Sequence, residues 1–209
     1  MIGAQPSDSV ADANEIELVR HLIQDWHWGS PVMTTFGAPK DAKYVPEVQL
    51  SEFGMEGDID LLCTSQSQPQ NAVAIQFKIA KIRQRTYLSL KPNKLDELQK
   101  LFRQTNALID LGFSRVFACL VVLIDSRVTP DGQTVVGGLT DELRSALDGR
   151  ISLEGLHERA GFLQTHIVQA PESAPLTTGE IFSHMVREAT SILQPVSLTN
   201  WVRQRASAA

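Results

Sequence analysis

Cysteine is scarce in this 209-residue chain, where only two occur. Cys63 and Cys119 stand far apart in apolar, strand-like segments with no CxxC spacing. That excludes a disulfide framework and a thiolate zinc site, and leaves two reduced core thiols as the expectation. Long hydrophobic runs are missing as well. The longest, Val116 to Ile124, falls far short of the ~20 apolar residues that cross a bilayer. It reads as a buried strand, and no membrane partner is expected. Residues 1–13 lack a basic stretch followed by an apolar one, so no secretory signal is predicted and the expected compartment is the cytoplasm. Motifs of several common chemistries are also absent. There is no Walker loop, GxGxxG or Gly-x-Ser-x-Gly elbow, and His21, His27, His157, His166 and His184 form neither HxH nor HExxH. Positive charge is not in excess either. A net charge of -5 does not advertise a nucleic-acid binder, whose affinity rests on Lys and Arg.

What is present suits a folded α/β protein. Hydrophobic residues make up 43% and charged residues 21%, and the length fits one domain. The predicted organisation is a flexible tail over 1–13, a core over 14–125 and a C-terminal α/β extension over 126–209 packed on the same domain. Ile16, Val19, Ile23 and Trp26 recur at helical spacing after an Asn14/Glu17 cap pair, predicting a first helix that ends at Gly29. Residues 30–42, with Pro31, Gly37 and Pro39, read as a loop, and Tyr44 to Leu50 as a strand interrupted near Pro46. A second helix follows a cap at Asn93 and ends near Gly112, and Arg115 to Asp125 forms a strand covered on both faces. Further on, Thr129 to Gly132 reads as a turn, Thr140 to Gly149 as a short helix and Phe162 to Gln169 as a strand. A Thr177/Glu180 capping box predicts a helix through Leu193, and Ser197 to Arg205 a last short one.

One stretch carries chemistry. Gly57-Asp58-Ile59-Asp60-Leu61-Leu62 and Ala74-Ile75-Gln76-Phe77-Lys78 both alternate like strands, which puts Asp58 and Asp60 on one face and Gln76 and Lys78 on one face. The gap from Thr64 to Asn71 is rich in turn formers, so the two strands fold back as a hairpin. Two carboxylates, an amide oxygen and an ammonium then converge. Such a set can hold a divalent cation through oxygen while the lysine steadies what the cation activates. Directly downstream, Lys81, Arg83, Arg85 and Lys91 precede any acidic residue and form a candidate phosphate track.

With these motifs, residues 15–124 resemble the core of the PD-(D/E)XK nuclease superfamily, the restriction-endonuclease-like fold. The resemblance rests on an acid of the opening helix, Asp60 and the Gln76-Phe77-Lys78 triplet, followed by helix and strand. It implies a central mixed sheet flanked by helices, in the order helix-strand-strand-strand-helix-strand. It also implies Mg2+ or Mn2+ held by Asp60 and Gln76, with Asp58 in support, Lys78 as catalytic lysine and Glu15, or alternatively Glu17, as the helix acid. Gln76 stands where the family usually has a carboxylate, so the metal should bind more weakly. This QxK form is similar to Mrr-like restriction enzymes and phage-defence nucleases.

The implied activity is hydrolysis of phosphodiester bonds in nucleic acid, DNA in the first instance, within a homodimer or a larger defence-type assembly. Two alternatives stand beside it. One is a catalytically inactive nuclease-like scaffold that binds nucleic acid or a protein. The other is a polymerase-beta-like nucleotidyltransferase, suggested by Asp58-Ile59-Asp60-Leu61-Leu62 but lacking the upstream Gly-Ser of that family.

Overall fold

Strands β3 (Val73–Ile82) and β4 (Arg115–Asp125) pair in parallel from Val73↔Arg115 to Ile82↔Ile124 and form the middle of the molecule. Their side chains alternate between two apolar layers. Val73, Ile75, Phe77 and Ile79 join Phe117, Cys119, Val121 and Leu123 on one face, while Ala74, Ala80 and Ile82 join Val116, Ala118, Leu120 and Val122 on the other. A strand apolar on both sides must be covered on both sides. The computed structural model describes residues 13–91, 95–125, 139–169 and 178–208, and it shows what covers them. Helices α1 (Glu15–Gln24) and α2 (Trp26–Met33) pack on the first face through Leu18, Leu22, Val32 and Met33. Helices α4 (Leu98–Leu111), α5 (Asp141–Asp148) and α6 (Val196–Ala208) pack on the second. A short helix, α3 (Gln84–Ser89), follows β3.

Among the described residues six strands make one mixed sheet in the order β1-β2-β3-β4-β5-β6. Strands β1 (Lys43–Gln49) and β2 (Asp58–Thr64) add antiparallel beside β3. Strand β5 (Gly161–Gln169) pairs parallel to β4, and β6 (Thr178–Arg187) closes the other side antiparallel. The residues after 139 therefore extend the same sheet. The expected mixed α/β architecture with flanking helices is present, and no helix among the described residues is long and apolar enough to cross a membrane.

Several elements differ from the sequence reading. The first helix stops at Gln24, and a second runs from Trp26 straight through Gly29 and Pro31, where a loop was expected. The hydroxyls of Thr34 and Thr35 bond back to the carbonyls of Ser30 and Pro31 at 2.6 and 2.7 Å, satisfying acceptors at the end of this helix. Strand β1 continues through Pro46, a residue that an edge strand tolerates because half of its backbone positions face away from the sheet. Residues after Arg83, where no helix was predicted, coil into α3 around buried Thr86 and Tyr87. The helix expected to end at Leu193 is strand β6 in its first half. There Glu180, Phe182, His184 and Val186 alternate with the less exposed Ile181, Ser183 and Met185, a period of two that pairing with β5 enforces over helical propensity.

Other readings agree with what forms. The Asn14/Glu17 capping box is made, α4 ends at a left-handed Gly112, and Thr140 caps α5 through the Leu143 N–H. Both cysteines are buried free thiols whose pKa values burial pushes up. Trp201 of α6 packs edge-on to Phe53 and donates to Glu52 at 2.9 Å. His166 is a core residue of β5, and burial pushes its pKa down to about 4. Ala13 is already buried, so the expected tail does not reach it. The rest of that tail, the Asn93 cap, the turn at Thr129 to Gly132 and Thr177 lie outside the described residues, as do the side chains of Trp26 and Trp28.

Gly29 sets the angle at which α2 meets α1. A Cβ there would lie 1.8 Å from the carbonyl oxygen of Leu22, a backbone atom that cannot step aside. A helical Gly→Ala change ordinarily stabilises by up to ~1 kcal/mol. Here the sign reverses, and Gly29→Ala should cost about 1–3 kcal/mol, read as a lower melting temperature. An unchanged or higher melting point would mean that the helices do not approach this closely.

Candidate active site

Strands β2 and β3 are hydrogen-bonded neighbours only from Cys63↔Val73 to Leu61↔Ile75, although β2 begins at Asp58 and β3 runs on to Ile82. Beyond Leu61 they separate. Every buried backbone N–H and C=O in that opening still needs a partner, and side chains supply two of them. The Phe77 N–H donates to Asp60 Oδ2 at 2.7 Å, and Gln76 Nε2 donates to the Asp58 carbonyl at 2.7 Å. The two polar residues therefore bridge the gap that the backbones leave.

Lys78 follows on the same face of β3 as Ala74 and Ala80 and is 8% exposed. Its ammonium lies 2.8 Å from Glu97 Oε2 and 3.2 Å from Glu15 Oε1. The Glu15 contact is an ion pair without the alignment of a hydrogen bond, since Oε1 has no partner of good geometry. Glu97 ends a one-turn 3-10 helix, Leu95–Glu97, that leads into α4 on one face of the sheet. Glu15 is the first residue of α1, which packs on the other face. Acids from opposite layers thus meet one lysine at the opening between β2 and β3. Burial works against the Lys78 charge, but the hydrogen bond to Glu97 and the attraction of Glu15 outweigh it and hold its pKa above the ordinary lysine value.

Asp60 responds in the opposite sense. Burial pushes its pKa up to about 7, against the pull of the Phe77 N–H. The negative charges of Glu15 and Asp58 push it further, and Lys78 draws it back. These influences put Asp60, Glu15, Asp58 and Lys78 in one electrostatic neighbourhood.

The helix acid that meets Lys78 is Glu15. Glu17 instead accepts from the Asn14 N–H at 2.9 Å in the capping box. Asp58 and Gln76 line a cleft of about 200 Å³ beside Arg103 and Gln104 of α4. Of the basic residues, Lys81 is half-buried near Glu15, while Arg83, Arg85 and Lys91 are exposed on and around α3. Sequence reasoning missed Glu97. An acid at the start of a helix is ordinarily explained by the helix dipole, so no local signal sets it apart.

Among the described residues no three His, Cys, Asp or Glu side chains gather closely enough to hold a metal ion by themselves. The donors in the opening are of another kind. Asp60 uses one oxygen on Phe77, leaving the second without a hydrogen bond from the described residues, and Gln76 spends its NH2 end on Asp58, leaving its amide oxygen as an acceptor. A carboxylate plus an amide oxygen suits Mg2+ or Mn2+, which commonly take one or two protein carboxylates and complete their shell with water and substrate phosphate. The chain matches no protein-family model, and no curated protein is significantly similar to it.

The raised pKa of Asp60 has a stability consequence. Between its ordinary value of 3.8 and about 7 the folded chain holds a proton that the unfolded chain has released. Stability at this site therefore falls as pH rises through that window. Asp60→Asn keeps an acceptor for Phe77 and removes the charge. In chelator, it should melt higher than wild type at pH 8 by about 1–2 kcal/mol, discounted for the partial exposure of the group, and the gap should close toward pH 4. Equal melting at pH 8 would show that Asp60 carries no such strain.

Proposed function

We propose that this chain is a metal-dependent nuclease with a restriction-endonuclease-like core, hydrolysing phosphodiester bonds in the opening between β2 and β3. The observation that carries this reading is the Asp60 carboxylate, seated on the Phe77 N–H within the electrostatic reach of Lys78. Asp60 and the Gln76 amide oxygen would hold Mg2+ or Mn2+. When bound, that ion lowers the pKa of a coordinated water and offsets charge on the phosphate. Lys78 supplies a fixed positive charge at the same place, where partial burial makes it stronger than in water. Glu15 and Glu97 keep the ammonium charged and aimed from both sides. Arg83, Arg85 and Lys91, exposed at α3, offer a track for flanking phosphates, and DNA is the first substrate to test.

The same details favour one rival. Lys78 is already paired to two carboxylates, and Gln76 replaces an acid, which suits a nuclease-like scaffold that binds nucleic acid without cutting it. Degradation of plasmid DNA and of RNA in Mn2+ or Mg2+ separates the two. Wild type should cleave, chelator should stop it, and Asp60→Ala and Lys78→Ala should each lose roughly 10²–10³-fold in rate while keeping their circular dichroism. Binding without cleavage would establish the scaffold, and cleavage undiminished in both variants would place the chemistry elsewhere.

A further inference from the structure

A second polar cavity, of about 390 Å³, lies at the start of β4, lined by Gly37, Gln68, Ser114, Arg115 and Ser191 among others. It is separate from the opening just described. Leu120, the register partner of Lys78, stands five residues along β4 from Arg115, about 17 Å at the usual rise of a strand.

Its chemistry is one-sided. Arg115 is half-buried, and among the described residues the single hydrogen bond of its side chain runs from Nη2 to the Gly37 carbonyl. A guanidinium has five N–H donors, so most of its fork is uncommitted. Burial pulls its pKa below the ordinary arginine value, which marks a charge short of solvation. Ser114 and Ser191 have no hydrogen bond through their hydroxyls among the described residues. The Gln68 amide oxygen is taken by Asn71 Nδ2 at 2.8 Å, which leaves the Gln68 NH2 as a donor. Among the described residues no acidic residue lines the cavity, and the one carboxylate that acts on the Arg115 charge is that of Glu188. Gly37 completes the cradle. It has φ +60, and a Cβ on it would fall 2.7 Å from Arg115 Nη1.

We propose that this cavity binds a phosphate-type oxyanion, gripped by the Arg115 fork and completed by donors from Ser114, Ser191 and Gln68. A planar fork matches two oxygens of such a group, and hydroxyl and amide donors from other directions suit a tetrahedral anion better than a planar carboxylate. The ligand is either a phosphate of a nucleic-acid chain or a free phosphate or nucleotide, and the site does not depend on whether the β2–β3 opening is catalytic.

The test is titration of the full chain with inorganic phosphate, followed by NMR at the Arg115 Nε–H and the Ser191 amide. Saturable shifts in wild type are expected, with Arg115→Gln and Ser191→Asp each weakening binding about tenfold or more, the loss of a charge-assisted hydrogen bond or the gain of a repelling charge. Ser191 is exposed, so its variant keeps the fold even if Arg115→Gln does not. Shifts that never saturate, or phosphate binding as tight in Ser191→Asp as in wild type, would overturn the proposal. Competition by a single-stranded oligonucleotide assigns the site to a nucleic-acid backbone, and competition by a nucleoside monophosphate alone assigns it to a small ligand. Both results sustain it.

Discussion

The hydrogen bond from the Phe77 amide to the Asp60 carboxylate is the contact on which the candidate site depends. A backbone donor of a central strand must be paired, and here a side chain does what a neighbouring strand does elsewhere in the sheet. Gln76 does the same for the Asp58 carbonyl. Together they let β2 leave β3 without stranding buried polar groups. An opening appears in the sheet beside its most buried strands, with a carboxylate fixed at its edge.

Electrostatics then follows from where the helices begin. Glu15 starts α1, and Glu97 immediately precedes α4, positions at which the helix dipole favours an acid. Because the two helices cover opposite faces, both acids reach Lys78 only where the sheet is open. The outcome is a lysine held charged in a confined place and an aspartate that resists ionising beside it. Excess negative charge and a reluctant carboxylate are what a divalent cation would relieve.

Legibility varied with the range of the interactions that decide each element. The limits of β4 and the Gly112 end of α4 were readable, since nine successive apolar residues and a left-handed glycine act locally. The hairpin of β2 and β3 was readable from alternation and its turn. Strand β6 was not, because Thr177 and Glu180 imitate a helix start while its strand state depends on pairing with β5, whose partner residues lie 9 to 25 positions away. The run through Gly29 and Pro31 was misread for a similar reason. Both residues usually end helices, yet Gly29 is needed for its close approach to Leu22.

By itself the chain determined an α/β protein with two buried thiols, and it set Gln76 with Lys78 on one side of β3, whereas the alternation expected to align Asp58 with Asp60 breaks where Ile59 and Leu61 enter opposite layers. Alternation and caps act over a few residues, so they can be read without coordinates. Tertiary structure alone chose Glu15 over Glu17, brought Glu97 to Lys78 and turned the Asp60 and Gln76 side chains into substitutes for ladder bonds. Those outcomes depend on where two strands part and two helices start in space, and such distances are set by the packing of the whole core rather than by any local spacing.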